Sequence, residues 1–198
     1  RACTEGPLSI YFPGDFNTGK EPLMAFRMTA LVLITVAMLA GCGGTDTGTA
    51  ENTLVENTWM SFDTGMELAV NMGKPVVIDF YTSWCRWCKV MDRETFQDEK
   101  VASYLGKHFI SIRLNAEQKN TKIKYGGRTY TPASLARAFK VQAYPSVAYL
   151  DGKGGLIFVD RGFKKPDQFM VNLKYVTSGC HAKGVSIDQF RRNGGRCD

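Results

Sequence analysis

Cys85 and Cys88 stand with two residues between them in the run Trp84-Cys85-Arg86-Trp87-Cys88-Lys89. An apolar stretch, Pro75-Val76-Val77-Ile78, leads into them, and a helical pattern beginning at Val90 leads out. A strand therefore delivers both thiols to the first turn of a helix, where backbone N–H groups without intrahelical partners and the helix dipole favour a thiolate. A thiolate placed there can attack a disulfide, and its neighbour can then close on it, which is the chemistry of a redox dithiol. Competing uses of the pair fit less well. There is no second Cys-x-x-Cys, and Cys180-His181 lies too far along the chain for a familiar zinc-ligand spacing. Haem attachment fails because Lys89, not His, follows Cys88.

The elements that must hold this pair are readable around it. The folded part starts near Trp59, and Phe62, Met66, Leu68, Ala69 and Met72 recur at roughly helical spacing until Gly73 and Pro75 stop the helix. Val76–Tyr81 lacks polar alternation apart from Asp79, which predicts a buried central strand. Helical spacing continues from the cysteines through Met91 and, past Asp98, through Val101, Tyr104 and Leu105 to Gly106. Phe109–Leu114 alternates as a second strand, and residues 116–130 form a polar, basic excursion with a Gly126-Gly127 turn. Thr131-Pro132 is an N-cap and N1 pair for a helix over 133–140. Ser146–Leu150, the turn 151–155 and Leu156–Val159 read as a hairpin, and Pro166–Val176 as a final amphipathic helix. This order implies an α/β fold, a central mixed β-sheet flanked by helices on both faces. No internal repeat is visible.

The chain has 198 residues, 44% hydrophobic and 22% charged, enough for one domain with a core plus extra segments. Its net charge of +6 is scattered, without a basic stripe interleaved with aromatics, so no nucleic-acid partner is expected. Residues 1–23 are punctuated by Pro and Gly and read as upstream translated sequence, with the natural start at Met24 or Met28. From Met24 a short, singly basic opening leads into the apolar run Thr29–Leu39, too short to span a bilayer comfortably but the length of a signal-peptide core. It ends in Leu39-Ala40-Gly41-Cys42, which resembles a bacterial lipobox, so residues 24–41 are expected to be a lipoprotein signal peptide and Cys42 the lipidated first residue. Residues 42–57 then serve as a Gly/Thr-rich tether. By the sorting rule of such lipoproteins, Gly43 in place of Asp implies the outer membrane, on the periplasmic side. Setting aside Cys3 and Cys42 leaves Cys85, Cys88, Cys180 and Cys197, in a compartment where disulfides persist, and the obvious pairs are Cys85–Cys88 and Cys180–Cys197.

The run Asp79-Phe80-Tyr81, Trp84-Cys85 and Cys88-Lys89, with Tyr144-Pro145 ahead of a later strand, resembles the thioredoxin superfamily over about residues 59–177. The likeness is greatest to its exported members, the thioredoxin-like lipoproteins and the C-terminal domain of membrane thiol:disulfide interchange proteins. It implies a thioredoxin fold over 58–178, with 179–198 as an extension stapled by Cys180 and Cys197. By that resemblance, Cys85 is the more exposed, attacking thiol and Cys88 the more buried, resolving one. Asp79 is the buried carboxylate that exchanges a proton with Cys88, the alternative being a strand-end Asp facing water. Arg113 aligns with a cationic partner of that carboxylate or is an ordinary solvent-facing strand residue. Pro145 is the cis-proline opposite the dithiol, or else a trans turn proline, and Tyr144, Trp84, Arg86 and Trp87 complete the substrate-binding surface. Trp84 shields the site or packs in the core. Arg86 and Trp87 depart from the Gly-Pro of thioredoxins, and a cation beside Cys85 stabilises its thiolate.

The expected activity is that of a thiol:disulfide oxidoreductase of the cell envelope. It acts on protein thiols and disulfides with no cofactor beyond the Cys85–Cys88 disulfide and no metal, recharged by a membrane electron donor of the thiol:disulfide interchange type. The competing class is a thioredoxin-fold lipoprotein used for peptide binding or assembly, with the dithiol idle.

Overall fold

A strand without polar alternation has to be covered on both faces, and the chain supplies a cover from each side of it in sequence. The computed structural model describes residues 57–198. The expected upstream segment, signal peptide and lipidated Cys42, and all of the tether before residue 57, lie outside the described residues. In chain order the elements are β1 (Trp59–Met60), α1 (Phe62–Met72), β2 (Val76–Tyr81), α2 (Arg86–Met91), a π-helical turn (Asp92–Phe96) and α3 (Glu99–His108). Then come β3 (Ile110–Asn115), β4 (Ile123–Tyr125), β5 (Arg128–Tyr130), α4 (Pro132–Ala138), β6 (Ser146–Leu150), β7 (Leu156–Arg161), α5 (Pro166–Ser178), a 3-10 turn (Cys180–Lys183) and α6 (Ile187–Arg192).

The main sheet has the order β1-β3-β2-β6-β7, with β1, β3 and β2 parallel and β6 and β7 antiparallel to their neighbours. Successive side chains of a strand point to opposite faces, so β2 feeds two cores at once. Val76, Ile78 and Phe80 join Ile110, Ile112 and Leu114 of β3 beneath α1 and α4, through Phe62, Ala69, Leu135 and Ala136. Val77 points the other way, to Met91, Phe96, Leu105, Phe169 and Leu173 of α2, the π-turn, α3 and α5. Asp79 and Tyr81 follow Val77 on this second face. Helix α1 lies against β3 because Gly65 has no side chain: a Cβ there would stand 2.5 Å from Cγ1 of Ile112. The helix stops at Gly73, whose φ of 62° is the left-handed conformation glycine adopts without strain.

Three stretches differ from the sequence reading. The helix after the cysteines is interrupted, because at Asp92–Phe96 it widens into a π-turn and restarts at α3 with the Asp98 side chain accepting the Val101 N–H. The widened turn brings Thr95 and Phe96 into the core together, Thr95 donating its hydroxyl to the Lys164 carbonyl at 2.5 Å. The polar excursion 116–130 contains a β-hairpin, β4–β5, turned by Gly126 and Gly127 at φ of 56° and 73°. Its Ile123 is buried, and the Tyr125 hydroxyl donates to the Gly154 carbonyl at 2.9 Å, so alternation hidden among lysines holds it down. The C-terminal extension, finally, is part of the second core. Cys180 and Phe190 are buried there, and Cys180 is joined to Cys197.

Closing a loop of this length by a disulfide restricts the unfolded chain by about 3 kcal/mol. Cys197→Ser is therefore expected to lower the stability of the oxidised protein by about that amount in urea denaturation. A loss under about 1 kcal/mol would show that packing of Phe190 alone holds the extension.

Candidate active site

Strand β2 ends at Tyr81, and the next four residues carry the chain across to α2. Thr82 is buried, and its carbonyl accepts the Cys85 N–H at 3.3 Å. Ser83 gives both its N–H and its hydroxyl to one carboxylate oxygen of Glu117, each at 2.6 Å, which ties this crossing to the end of β3. The Ser83 hydroxyl, then its N–H, hold the Glu117 carboxyl below its usual range. Cys85 is the N-cap of α2, and its sulfur accepts the Cys88 N–H at 3.0 Å. A cysteine therefore occupies the place where Ser, Thr or Asp usually satisfies the first free N–H groups of a helix. That N–H would stabilise a thiolate at Cys85 once the Cys85–Cys88 disulfide, which closes the site here, is reduced.

Behind the disulfide lies Asp79, 3% exposed in the middle of β2. The parallel register sets Asp79 beside Arg113 of β3, on the face that carries α2. Arg113 Nε donates to Asp79 Oδ2 at 3.2 Å, and its NH2 group donates to Asp92 Oδ1 at 2.6 Å. Asp79 Oδ1 and the Thr82 hydroxyl have no protein partner. Both residues line a cavity of about 190 Å3 shared with Cys88, Lys89, Asp92 and Arg113, large enough to admit water. Burial pushes the Asp79 carboxyl up to about 7, against the downward pull of Arg113 and with a smaller upward push from Asp92. A carboxyl titrating there can take or give a proton at neutral pH.

The opposite wall comes from the β6–β7 side. The Tyr144–Pro145 peptide bond is cis, and the Pro145 carbonyl accepts the Gly162 N–H at 2.8 Å. Tyr144 meets Trp84 edge to face, ring centres 6.1 Å apart, and Phe163 meets Trp87 at 5.6 Å. Trp84 is 69% exposed and Trp87 58%, so the dithiol sits between two aromatic pairs turned to solvent.

The structure thus gathers Asp79, Trp84, Cys85, Arg86, Trp87, Cys88, Tyr144 and Pro145 at one end of the sheet, while Cys180 and Cys197 join each other in the C-terminal extension. One expectation changes, and one alternative falls. Cys85 was expected to be the more exposed thiol, yet it is 3% exposed and Cys88 8%, because Cys85 turns its sulfur inward as the helix cap while the cavity opens beside Cys88. Of the two alternatives for Trp84, packing in the core falls: the side chain is exposed and meets Tyr144 at the rim. Three participants escaped sequence reading: Asp92, Glu117 and Phe163. Each arrives through tertiary packing, and only the parity of β3, which sets Arg113 on the Asp79 face, leaves any trace in the sequence.

Residues 62–177 match the family model of the thioredoxin-like domain. Over 109 residues the chain is 31% identical to a Yersinia pestis protein named thiol:disulfide interchange protein DsbD, covering 54% of this chain and 17% of that one. The chain therefore spans well under two thirds of that relative's length. Among solved structures, one described as DsbH oxidoreductase superposes with a TM-score of 0.53 at 21% identity, covering 69% of this chain and 95% of that one. A thioredoxin from Thermus thermophilus gives 0.53 at 21% identity, covering 65% and 93%. These likenesses show the fold.

Asp79 titrates near 7 when folded and near its ordinary 3.8 when unfolded, so between those values the folded chain holds the extra proton and stability falls as pH rises. Asp79→Asn removes the penalty of a buried charge. The variant is expected to exceed wild type above pH 7 by on the order of 2–4 kcal/mol and to converge with it towards pH 4. Urea denaturation of the oxidised proteins at both ends of that range checks this, and a difference independent of pH would contradict it.

Proposed function

The chain belongs to the thioredoxin-like domain family, and from that premise we propose that it is a thiol:disulfide oxidoreductase that reduces protein disulfides. The observation that carries the reading is the Cys85–Cys88 disulfide at the tip of α2, with Cys88 and the buried Asp79, one of whose oxygens has no hydrogen-bond partner, among the residues of one cavity. An idle binding module has no need of a carboxyl held near neutrality behind a dithiol.

In the reduced state the Cys85 thiolate, favoured by the Cys88 N–H and the neighbouring Arg86, attacks one sulfur of a target disulfide. A bond forms between Cys85 and that sulfur, the target S–S bond breaks, and the other target sulfur leaves as a thiolate. The target chain lies against the Tyr144–Pro145 edge, where proline has no N–H of its own and an extended segment can pair with the backbone before it. Asp79 then takes the proton from Cys88, and the Cys88 thiolate attacks the Cys85 sulfur. The second target sulfur departs, two electrons have moved to the target, and Cys85–Cys88 is left oxidised, as in this structure. Asp79 hands its proton through the cavity to solvent or to the departing thiolate, ready for the next cycle.

The setting is the cell envelope, with Cys42 lipidated and the domain tethered on the periplasmic side, a reading supported by the apolar run ending in Leu39-Ala40-Gly41-Cys42. A membrane dithiol donor of the thiol:disulfide interchange type recharges the disulfide, supported by the similarity to a protein of that name.

Wild type is expected to reduce insulin disulfides, and Cys88→Ser to accumulate mixed disulfides through Cys85 that reductant releases. The reduction potential of the pair is expected nearer roughly −270 mV than −120 mV. No trapped partner together with no insulin reduction would favour the binding module. Metabolic palmitate labelling is expected for the expressed precursor and lost in Cys42→Ala; equal labelling of both would remove the anchor.

A further inference from the structure

Arg113 is held by more than its two carboxylates. Its guanidinium carbon lies 4.3 Å from the centre of the Trp59 ring, with Phe96 at 5.7 Å and Tyr81 at 5.9 Å. A guanidinium donates hydrogen bonds from its edges and stacks through its faces, so one group can serve carboxylates and a ring together. We infer that Trp59 is a positioning residue for the redox site, its ring keeping Arg113 between Asp79 and Asp92 and thereby setting the pH at which Asp79 exchanges its proton.

Strand β1 has only two residues, and its register places Trp59 opposite Ser111, two residues before Arg113 on the same face of β3. Trp59 is itself braced edge to face by Phe96 of the π-turn, ring centres 4.9 Å apart. The ring thus walls the guanidinium from the β1 side, while Asp79 and Asp92 take its edges. The two carboxylates compete unequally. Asp92 has a side chain 41% exposed and the shorter contact, 2.6 Å, whereas Asp79 is 5% exposed and sits at 3.2 Å. Without the ring, Arg113 has room to follow Asp92 towards water and leave Asp79 with its burial unopposed. The other groups facing Asp79 are Lys89 and Cys88 on α2, Tyr81 on its own strand and Tyr149 on β6. None supplies a second hydrogen bond to the carboxylate. Arg113 is thus the cation whose place decides how strongly burial holds the proton on Asp79.

The geometric claim stands apart from the reading of Asp79 as proton acceptor for Cys88; only its consequence for turnover rests on that reading. Carbon-13 NMR of the Asp79 carboxyl, titrated in the oxidised protein where Cys88 carries no proton, reads the effect directly. Trp59→Met, which keeps apolar bulk without a ring, is expected to raise the midpoint by about half a unit or more, and Trp59→Phe by much less. Arg113→Met is expected to raise it as well, and adding Trp59→Met to that variant to raise it no further. Fluorinated tryptophans placed at position 59, which weaken the ring's attraction for a cation at nearly constant shape, are expected to raise the midpoint stepwise. That series decides the matter if Trp59→Met does not fold. An unmoved midpoint in folded Trp59→Met or across the fluorinated series overturns the inference, as does an undiminished shift in the Arg113→Met background. A parallel rise in the acid limb of insulin reduction supports the consequence for turnover. A moved carboxyl with an unmoved profile overturns that consequence and the role given to Asp79, while leaving the placement of Arg113 standing.

Discussion

A carboxylate in the central strand of a sheet is the constraint around which this molecule is arranged. Asp79 has strands on both sides and a layer of helices over it, a position that strongly disfavours its charge. Two features oppose that cost. The β2–β3 register brings Arg113 alongside, and Asp79 borders a cavity that also takes in Thr82 and Lys89. Neither cancels it, and the remainder is what lifts the carboxyl to about 7. A one-residue slip between β2 and β3 would turn Arg113 to the opposite core, so the pairing of two strands and the protonation of the site are one decision.

The dithiol inherits its position from the same strand. Four residues after β2 the chain reaches Cys85, and the crossing is short enough that Thr82 and Ser83, one held in the core and the other by Glu117, determine where the sulfur lies. The π-turn after α2 then does what an uninterrupted helix would not. It sends Thr95 and Phe96 inward and sets Asp92 against Arg113. A widened turn beside a reactive pair accords with the frequency of such turns at functional sites.

The rim and the extension are linked through β7. Its Asp160 accepts from Asn172 of α5 at 2.6 Å, and Arg191 of α6 donates to the same Asn172 at 2.8 Å. Two residues past Asp160, Gly162 bonds to Pro145, and Phe163 meets Trp87. The C-terminal extension therefore braces the end of the strand that leads into the Phe163–Trp87 pair beside the dithiol, and the Cys180–Cys197 bond holds that brace closed.

Much of this was legible in the chain. The unbroken run Val76–Phe80 could only be a strand covered on both faces, Cys85 and Cys88 could only fall on the helix tip that follows, and Thr131-Pro132 started a helix as capping chemistry requires. These are local matters of period, cap and turn, which a few neighbouring residues settle. The hairpin within 116–130 was obscured because one buried position, Ile123, among lysines leaves too little pattern to read. The alternatives left open for Asp79, buried or facing water, and for Arg113, its partner or a solvent-facing residue, were decided only in three dimensions, as were the reversed exposure of the two cysteines and the arrival of Asp92, Glu117 and Phe163. Each joins residues distant in sequence through strand register or helix packing, and no short stretch of chain contains both halves of such a contact.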